Sequence, residues 1–320
     1  MTYRMNADDL INIINSKQEQ NQYVEKNIDF ELGNNRFIIE EELINSEIKI
    51  SKNLYYINDD ELILNCKENQ EILELHFNLS LNGIGYKNHF LDSEKVSSMT
   101  GNLIHIGATD EKSDIYFEKK SEYKTFDIHF SKNVFLKYYG ENKKLDNFIK
   151  HISDGKSLGY TNNEIYITPP ILCAIQDINS CQYQGLTRKI YIESKIYEIL
   201  AHTLENHSNE KQPKISNRDK EIVHLAASLI NENIKKPLTI EEISKRVGIN
   251  QTKLKKLFKE IFGCTIFTYL QTIRMNNAKT YITDSELTID EISQLSGYTS
   301  ISNFSAAFKK HFGFSPSKLK

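Results

Sequence analysis

The chain is read as α+β, a strand-rich segment followed by an all-helical one, and three observations carry this reading. From about residue 28 to 130, short apolar runs rich in β-branched and aromatic residues alternate with Asn, Asp, Gly and Lys. From about 132 onward the apolar period becomes helical. Finally, LTIEEIS at 238–244 returns almost letter for letter as LTIDEIS at 287–293.

The strand-like runs are RFIIEEELI, SEIKISKNLYYI, ELILNC, EILELHFNLSL, NLIHIG, DIYFEKK and TFDIHF. Their length and alternation predict an antiparallel sandwich or barrel. VFLKYY, LDNFIKHI, PPILCAIQDI and GLTRKIYIESKIYEILAHTLENH then read as helices, with Pro169 and Pro170 suited to a helix start. The last of these carries Leu186, Ile190, Glu193, Tyr197, Leu200 and Leu204 on one stripe and Ile192, Ile196 and Ile199 beside it. Two stripes exceed what one packing partner needs. The second could seat on another copy of the chain, as a homodimer, or be buried within the monomer. ENHSNEKQPKISN, 205–217, is polar and carries Pro213, which marks it as a linker. The expected organisation is therefore a sensing and dimerisation domain over 1–204, a linker over 205–217 and a DNA-binding domain over 218–320.

Charge divides at the same place. Residues 214–320 carry 17 basic and 10 acidic side chains, a net +7, whereas 1–213 carry 23 and 33, a net −10. A basic third joined to an acidic remainder predicts different partners, with nucleic acid assigned to the basic part. Membrane and disulfide classes are not indicated. No apolar run approaches the ~20 residues of a membrane span, and MTYRMNADDL has no charged-then-apolar leader. A cytoplasmic chain without membrane contact is expected. Cys66, Cys173, Cys181 and Cys264 are scattered without CxxC spacing, which predicts reduced thiols and no zinc module.

Written out, the repeats are LTIEEISKRVGINQTKLKKLFKEIFG and LTIDEISQLSGYTSISNFSAAFKKHFG. Thr239 with Glu242, and Thr288 with Glu291, form capping boxes in which hydroxyl and carboxylate satisfy the free amides of a new helix. A glycine follows (Gly248, Gly297), then a second helix ending at Gly263 or Gly313. Helix, tight turn, helix is the helix-turn-helix unit. In the first copy Leu254, Leu257, Phe258 and Ile261 fall at core spacing, leaving Thr252, Lys253, Lys255, Lys256 and Lys259 as candidate DNA contacts. In the second, Phe304, Ala307, Phe308 and Phe312 pack inward, leaving Ser302, Asn303, Ser305, Ala306 and Lys309 outside. Lysines there suit phosphates and guanine edges, and Ser and Asn suit base edges or phosphates. A lysine-rich face on one helix is commonly only a solvated face. Two of them, duplicated within a basic domain, point to double-stranded DNA.

These residues resemble the AraC/XylS family of bacterial transcription regulators. The resemblance covers about 220–320 and rests on IEEIS, LFK, FGCTIFTYL with Arg274, Met275 and Ala278, and IDEISQLSGYTSISNFSAAFKKHFGFSPSKL. It implies a long helix, here about Ile266 to Ile282, holding both reading helices on one face about 34 Å apart for successive major grooves of promoter DNA. It also implies RNA polymerase as a partner. Two departures stand out: Ala306 replaces a residue that is often basic in the family, and SPSKLK replaces a Ser-Pro followed by a Tyr-Arg-like ending, so the last helix is expected to be only a turn.

For the first two thirds the resemblance is one of architecture. It implies a cupin-like antiparallel β-barrel that takes a small-molecule effector, similar to the siderophore-responsive branch. Tyr55, Phe77, Tyr86, Phe117 and Phe126 are the candidate pocket aromatics, although such residues are more often simply core. His76, His89, His105 and His129 stand singly in separate runs, not as a His-x-His metal cluster, and no phosphate loop, nucleophile elbow or HExxH occurs. No catalytic residue, cofactor or metal is expected. The sequence thus predicts a ligand-responsive activator. The alternative is a DNA-binding factor with no small-molecule input, controlled by a protein partner or acting architecturally.

Overall fold

A computed structural model describes residues 2–6, 25–59, 61–67, 71–80, 82–87, 95–108, 112–118, 121–162, 164–206, 215–262 and 264–319. The chain forms two compact units, Met1–Ile165 and Tyr166–Lys320.

The first unit contains β1 (Thr2–Asn6), β2 (Glu25–Leu32), β3 (Asn35–Asn45), β4 (Ile48–Ile57), β5 (Glu61–Lys67), β6 (Ile72–Asn78) and β7 (Ile84–Lys87). It continues with β8 (Lys95–Val96), β9 (Thr100–Ile106), β10 (Lys112–Glu118) and β11 (Ser121–Phe130). Helices α1 (Asn133–Leu136) and α2 (Lys143–Ser153) and the short strand β12 (Leu158–Gly159) follow, and β13 (Ile165–Tyr166) ends the region. The described ladders make two sheets, β1-β5-β10-β7-β8 and β12-β9-β6-β11-β4-β3-β2. They do not join into the closed barrel expected from the sequence. β1 also runs parallel to β5, a departure from the antiparallel plan. VFLKYY yields helix only over Asn133–Leu136, because the chain turns at Lys137–Gly140 before Asn142 caps α2.

Strand alternation gives the large sheet two distinct faces. On one, Phe37 and Tyr55 of the large sheet meet Phe117 of the small sheet, with Tyr55 and Phe117 edge to face at 5.6 Å, and Tyr123 lies 4.9 Å from Phe117. This is the inner face. On the other, Phe130 contacts Phe135 of α1 (5.3 Å), which contacts Phe148 of α2 (6.2 Å).

The second unit contains α3 (Pro169–Asn179), α4 (Gly185–Asn206), α5 (Asn217–Glu232), α6 (Ile240–Val247) and α7 (Gln251–Phe262). It ends with α8 (Ile266–Asp284), α9 (Ile289–Leu295), α10 (Ile301–Phe312) and a 3₁₀ turn at Pro316–Lys318. By packing, α3 and α4 fall in this second unit, whereas the sequence reading placed them in a domain over 1–204. The apolar face of α3 (Ile171, Leu172, Ala174, Ile175, Ile178) is buried, and α3 packs against both α4 and α8. Asp177 pairs with Lys195 of α4 (2.8 Å) and Lys279 of α8 (3.6 Å), and Thr280 donates to Ser180 (3.2 Å). Charge and composition marked the polar stretch 205–217, whose residues 207–214 lie outside the described ones. They did not reveal which helix these apolar faces would meet. On α4, Ile192, Ile196, Ile199 and Leu200 are buried, while Leu186 and Ile190 are exposed.

Candidate nucleic-acid interface

Both helix-turn-helix units are built as their sequences dictate. At Thr239 the backbone amide donates to Glu242 Oε2 (2.7 Å) and the amide of Glu242 donates back to Thr239 Oγ1 (3.2 Å). Thr288 and Glu291 repeat this at 2.7 and 3.2 Å. Each box satisfies orphan amides at a helix start and places carboxylates against the positive end of the helix. The Thr239 amide and hydroxyl hold the Glu242 carboxyl below its usual range, against a small opposing effect of desolvation.

Gly248 ends α6 in the left-handed conformation (φ 74°) with open space where a side chain would stand. Gly297 does the same at φ 77°, but a Cβ there would collide with the Arg274 guanidinium and come within 2.8 Å of the Lys235 carbonyl. Arg274 of α8 donates to the Ile234 carbonyl from Nε (3.1 Å) and Nη2 (2.9 Å), and its guanidinium lies 5.6 Å from the Tyr298 ring. One side chain of the connecting helix thus braces the chain before the first unit against the turn of the second. The long helix anticipated at Ile266 to Ile282 is present as Ile266–Asp284.

Around this frame the two reading helices show the expected faces. In α7, Leu254, Leu257, Phe258, Ile261 and Phe262 are buried, and Thr252, Lys253, Lys255, Lys256 and Lys259 are exposed. Lys253 is partly committed: its ammonium sits 2.6 Å from Asp219 of α5 and holds that carboxyl below its ordinary range. Lys256 lies only loosely beside Glu260, at 3.9 Å. In α10, Phe304 and Phe308 are buried on Met275, Ala278, Ile282 and Ile292, and Ser302, Asn303, Ala306 and Lys309 are exposed. Ser305 is half-buried, so the structure gives it less of the outward face than its spacing suggested. Lys310 is also exposed and was missed, because a face count from the apolar positions places it beside the core stripe. Apart from Ala306, these exposed side chains are cationic or hydrogen-bonding groups on helices held by packed aromatics, the arrangement that groove reading requires.

The five candidate pocket aromatics do not all come together. Register pairs Phe126 with Phe77, on the face of the large sheet that α1 and α2 cover. Tyr55, Tyr86 and Phe117 lie in the inner core instead. What does come together there is polar. His76 Nδ1 donates to Asp127 Oδ1 (2.6 Å), Asn53 donates to Asp127 Oδ2 (2.6 Å), and Thr125 donates to the same oxygen (3.0 Å). His76 thus has a buried carboxylate partner that its isolation in the sequence concealed. His105 is likewise held between Glu71 and the Lys156 carbonyl, and His89 lies outside the described residues. Among the described residues no group of three or more His, Cys, Asp or Glu could hold a metal ion. No helix among them is long and apolar enough to cross a membrane.

Residues 243–320 match a model described as a helix-turn-helix domain, and residues 59–218, half of the chain, match the regulatory protein PchR N-terminal domain. The lactose operon transcription activator of Staphylococcus xylosus is 30% identical over 236 residues, which cover 71% of this chain and 80% of that protein. The chain belongs to the AraC/XylS family of transcription regulators. A second relative of this AraC/XylS-family chain, regulatory protein PchR of Pseudomonas aeruginosa, is 33% identical over 116 residues, covering 35% of this chain and 39% of that protein. Among solved structures, an AraC-type transcriptional regulator from Chromobacterium violaceum is 27% identical, covering 32% of this chain and 93% of that one with a TM-score of 0.30. As a family member the chain is a DNA-binding transcription regulator, and its relatives are regulators, not enzymes.

Proposed function

We propose that this regulator is an effector-responsive activator that reads promoter DNA with α7 and α10. The carrying observation is the pair of capped helix-turn-helix units joined by α8, each with cationic or polar side chains outward. Thr252, Lys255, Lys256 and Lys259 would contact one groove segment, and Ser302, Asn303 and Lys309 the next, with Lys253 and Ser305 at the margin. Lysines neutralise phosphates and release counterions, which supplies affinity, whereas Ser and Asn on the second helix read edges.

Effector response is supported by the match of 59–218 to the N-terminal domain of regulatory protein PchR and by the relative that is named an activator of the lactose operon. It also has a physical route. The matched segment includes α3 and α4, and α3 seats on the helix joining the two reading heads. A ligand that prefers one arrangement of those helices would shift the arrangement of the heads. RNA polymerase is the expected partner of the activated complex. The exposed Leu186 and Ile190 on α4 offer a second copy of the chain an apolar contact. The test is an anisotropy titration of the full chain on the DNA upstream of its own gene, with and without a protein-free extract of the native cell. An extract-dependent change in affinity supports the reading. Equal curves from several growth conditions would favour a DNA-binding factor controlled by a protein partner.

A further inference from the structure

The two reading helices present the same stripe of positions with different chemistry. Aligned on Phe258 and Phe308, the outward positions of α7 are Gln251, Thr252, Lys255, Lys256 and Lys259, and those of α10 are Ile301, Ser302, Ser305, Ala306 and Lys309. Lysine fills three of these places on the first face and one on the second. The second face has less charge with which to hold phosphates, so discrimination there falls to neutral side chains. At its leading end stands an isoleucine.

Ile301 is 45% exposed at the first position of α10, although Phe304 and Phe308 on the same helix are fully buried. A single apolar side chain on a protein surface is ordinary. This one is distinguished by its place. In a helix-turn-helix unit the N-terminal residues of the second helix are the ones that meet base edges. Ile301 also shares its stripe with Ser305 and Lys309, which follow at intervals of four. The start of the helix is held firmly. Ser300 caps it, its hydroxyl accepting from the Asn303 amide (3.4 Å), and Phe304 seats the first turn on Met275, Ala278, Ile282 and Ile292. Tyr298, just before the cap, packs on Phe304 at 5.7 Å and carries the Arg274 guanidinium over its own ring at 5.6 Å. A β-branched residue in a helix has one strongly preferred rotamer, so Ile301 loses little freedom when a partner covers it.

We infer that Ile301 is a specificity-determining residue, and that its side chain reads the C5-methyl of a thymine in the major groove entered by α10. The base follows from the groove. Donors and acceptors line the major-groove edges of all four base pairs, and the thymine methyl is the apolar group among them. An aliphatic side chain gains by sheltering that methyl from water. Placed against a guanine edge or a cytosine amino group, the same side chain would strip water from a polar atom and return no hydrogen bond. Ser302 and Asn303 beside it supply donors and acceptors for the neighbouring edges. This inference rests on the reading of DNA by α7 and α10 proposed above. It adds a residue outside the cationic and polar set and names the base that residue selects.

The test is a binding cycle on the full chain. A preferred duplex is selected from a random pool, with and without a small-molecule extract of the native cell. It is then resynthesised with each thymine in turn replaced by uracil, which removes only the C5-methyl. Wild type is expected to lose about fourfold in affinity at one thymine or more, the worth of burying one methyl-sized group. Ile301→Ala, at an exposed position where alanine suits a helix, should keep the melting temperature. It should bind the thymine duplex with at least that same loss and be indifferent to uracil at that thymine. Lys256→Ala, on the other reading helix, should stay as sensitive to that uracil as wild type. Uracil that costs wild type nothing at any thymine, or costs wild type and Ile301→Ala equally, overturns the assignment. So does an Ile301→Ala variant of full affinity, which would leave the side chain to a protein partner. If a duplex is selected and Lys256→Ala weakens it while uracil has no effect, DNA reading stands and the thymine contact falls. If no duplex is selected under either condition, both fall.

Discussion

Lys253 Nζ lies 2.6 Å from Asp219 Oδ1, so a lysine on the outward side of a reading helix is tied back to the helix preceding its own unit. Five candidate contacts on α7 are therefore not equivalent. Lys255, Lys256 and Lys259 extend from the exposed face, Lys256 only loosely beside Glu260 at 3.9 Å, whereas Lys253 helps to fix the angle of α7 on α5.

The first prediction follows from that pairing. Lys256→Ala should weaken promoter binding by about 1–3 kcal/mol if it reaches a base, and by a uniform loss with a salt slope reduced by about 1 if it reaches a phosphate. Lys253→Ala should lose less DNA affinity and instead lower the melting temperature. Anisotropy titrations of the two variants on one DNA decide it, and equal affinity losses would contradict the division.

The second prediction separates two glycines of the same sequence role. Both Gly248 and Gly297 need a positive φ, so alanine strains either by roughly 1 kcal/mol. Only Gly297 also presses its missing side chain on the Arg274 guanidinium and the Lys235 carbonyl. Gly297→Ala should thus be the more destabilising in urea melts and should reduce DNA affinity by disturbing the brace between the two units. Gly248→Ala should cost stability with a smaller effect on binding.

The third prediction concerns His224, which is fully buried between Tyr166 (5.2 Å) and Phe262 (5.9 Å). Neither ring nitrogen has a hydrogen-bond partner among the described residues. Burial, with a smaller contribution from Lys220, pulls its pKa from 6.5 down to about 3. The folded state therefore keeps the ring neutral where the unfolded chain takes up a proton. Stability attributable to this site is complete above pH 6.5 and is lost as pH falls toward 3, by about 1.4 kcal/mol per unit. His224→Phe should flatten the stability of the chain between pH 6.5 and 5 by that slope, as measured by urea unfolding. Parallel curves for the two proteins would show that the ring is not buried neutral.

The DNA-reading half was legible because its determinants are local. A threonine and a glutamate three residues apart, a glycine, and apolar residues at helical spacing specify each unit without reference to distant chain. The strand-rich half was legible as strands, but its buried polar cluster was not. His76, Asp127 and Asn53 meet only through the register of β6, β11 and β4, and they are separated by 51 and 74 residues. A partial signal did exist in TFDIHF, where Asp127 and His129 alternate with Phe126, Ile128 and Phe130. That alternation places the acid and the histidine on one face and the phenylalanines on the other, but not which face looks inward. The aromatic pocket Tyr55, Phe77, Tyr86, Phe117, Phe126 ignored it and mixed both faces. The seating of α3 on α8 was illegible for a related reason, since an apolar helix face records that it is buried but not by what.

The central claim, that this chain grips duplex DNA through the outward lysines of two helix-turn-helix units, is tested most directly by the salt dependence of its promoter affinity. The logarithm of the association constant should fall linearly with the logarithm of salt, with a slope of about −0.9 for each phosphate neutralised. With Lys255, Lys256, Lys259 and Lys309 each engaging a phosphate, the slope should lie at about −4 or steeper, and Lys256→Ala and Lys259→Ala together should make it shallower by about 2. A slope near zero, or one that the double variant leaves unchanged, would contradict the account.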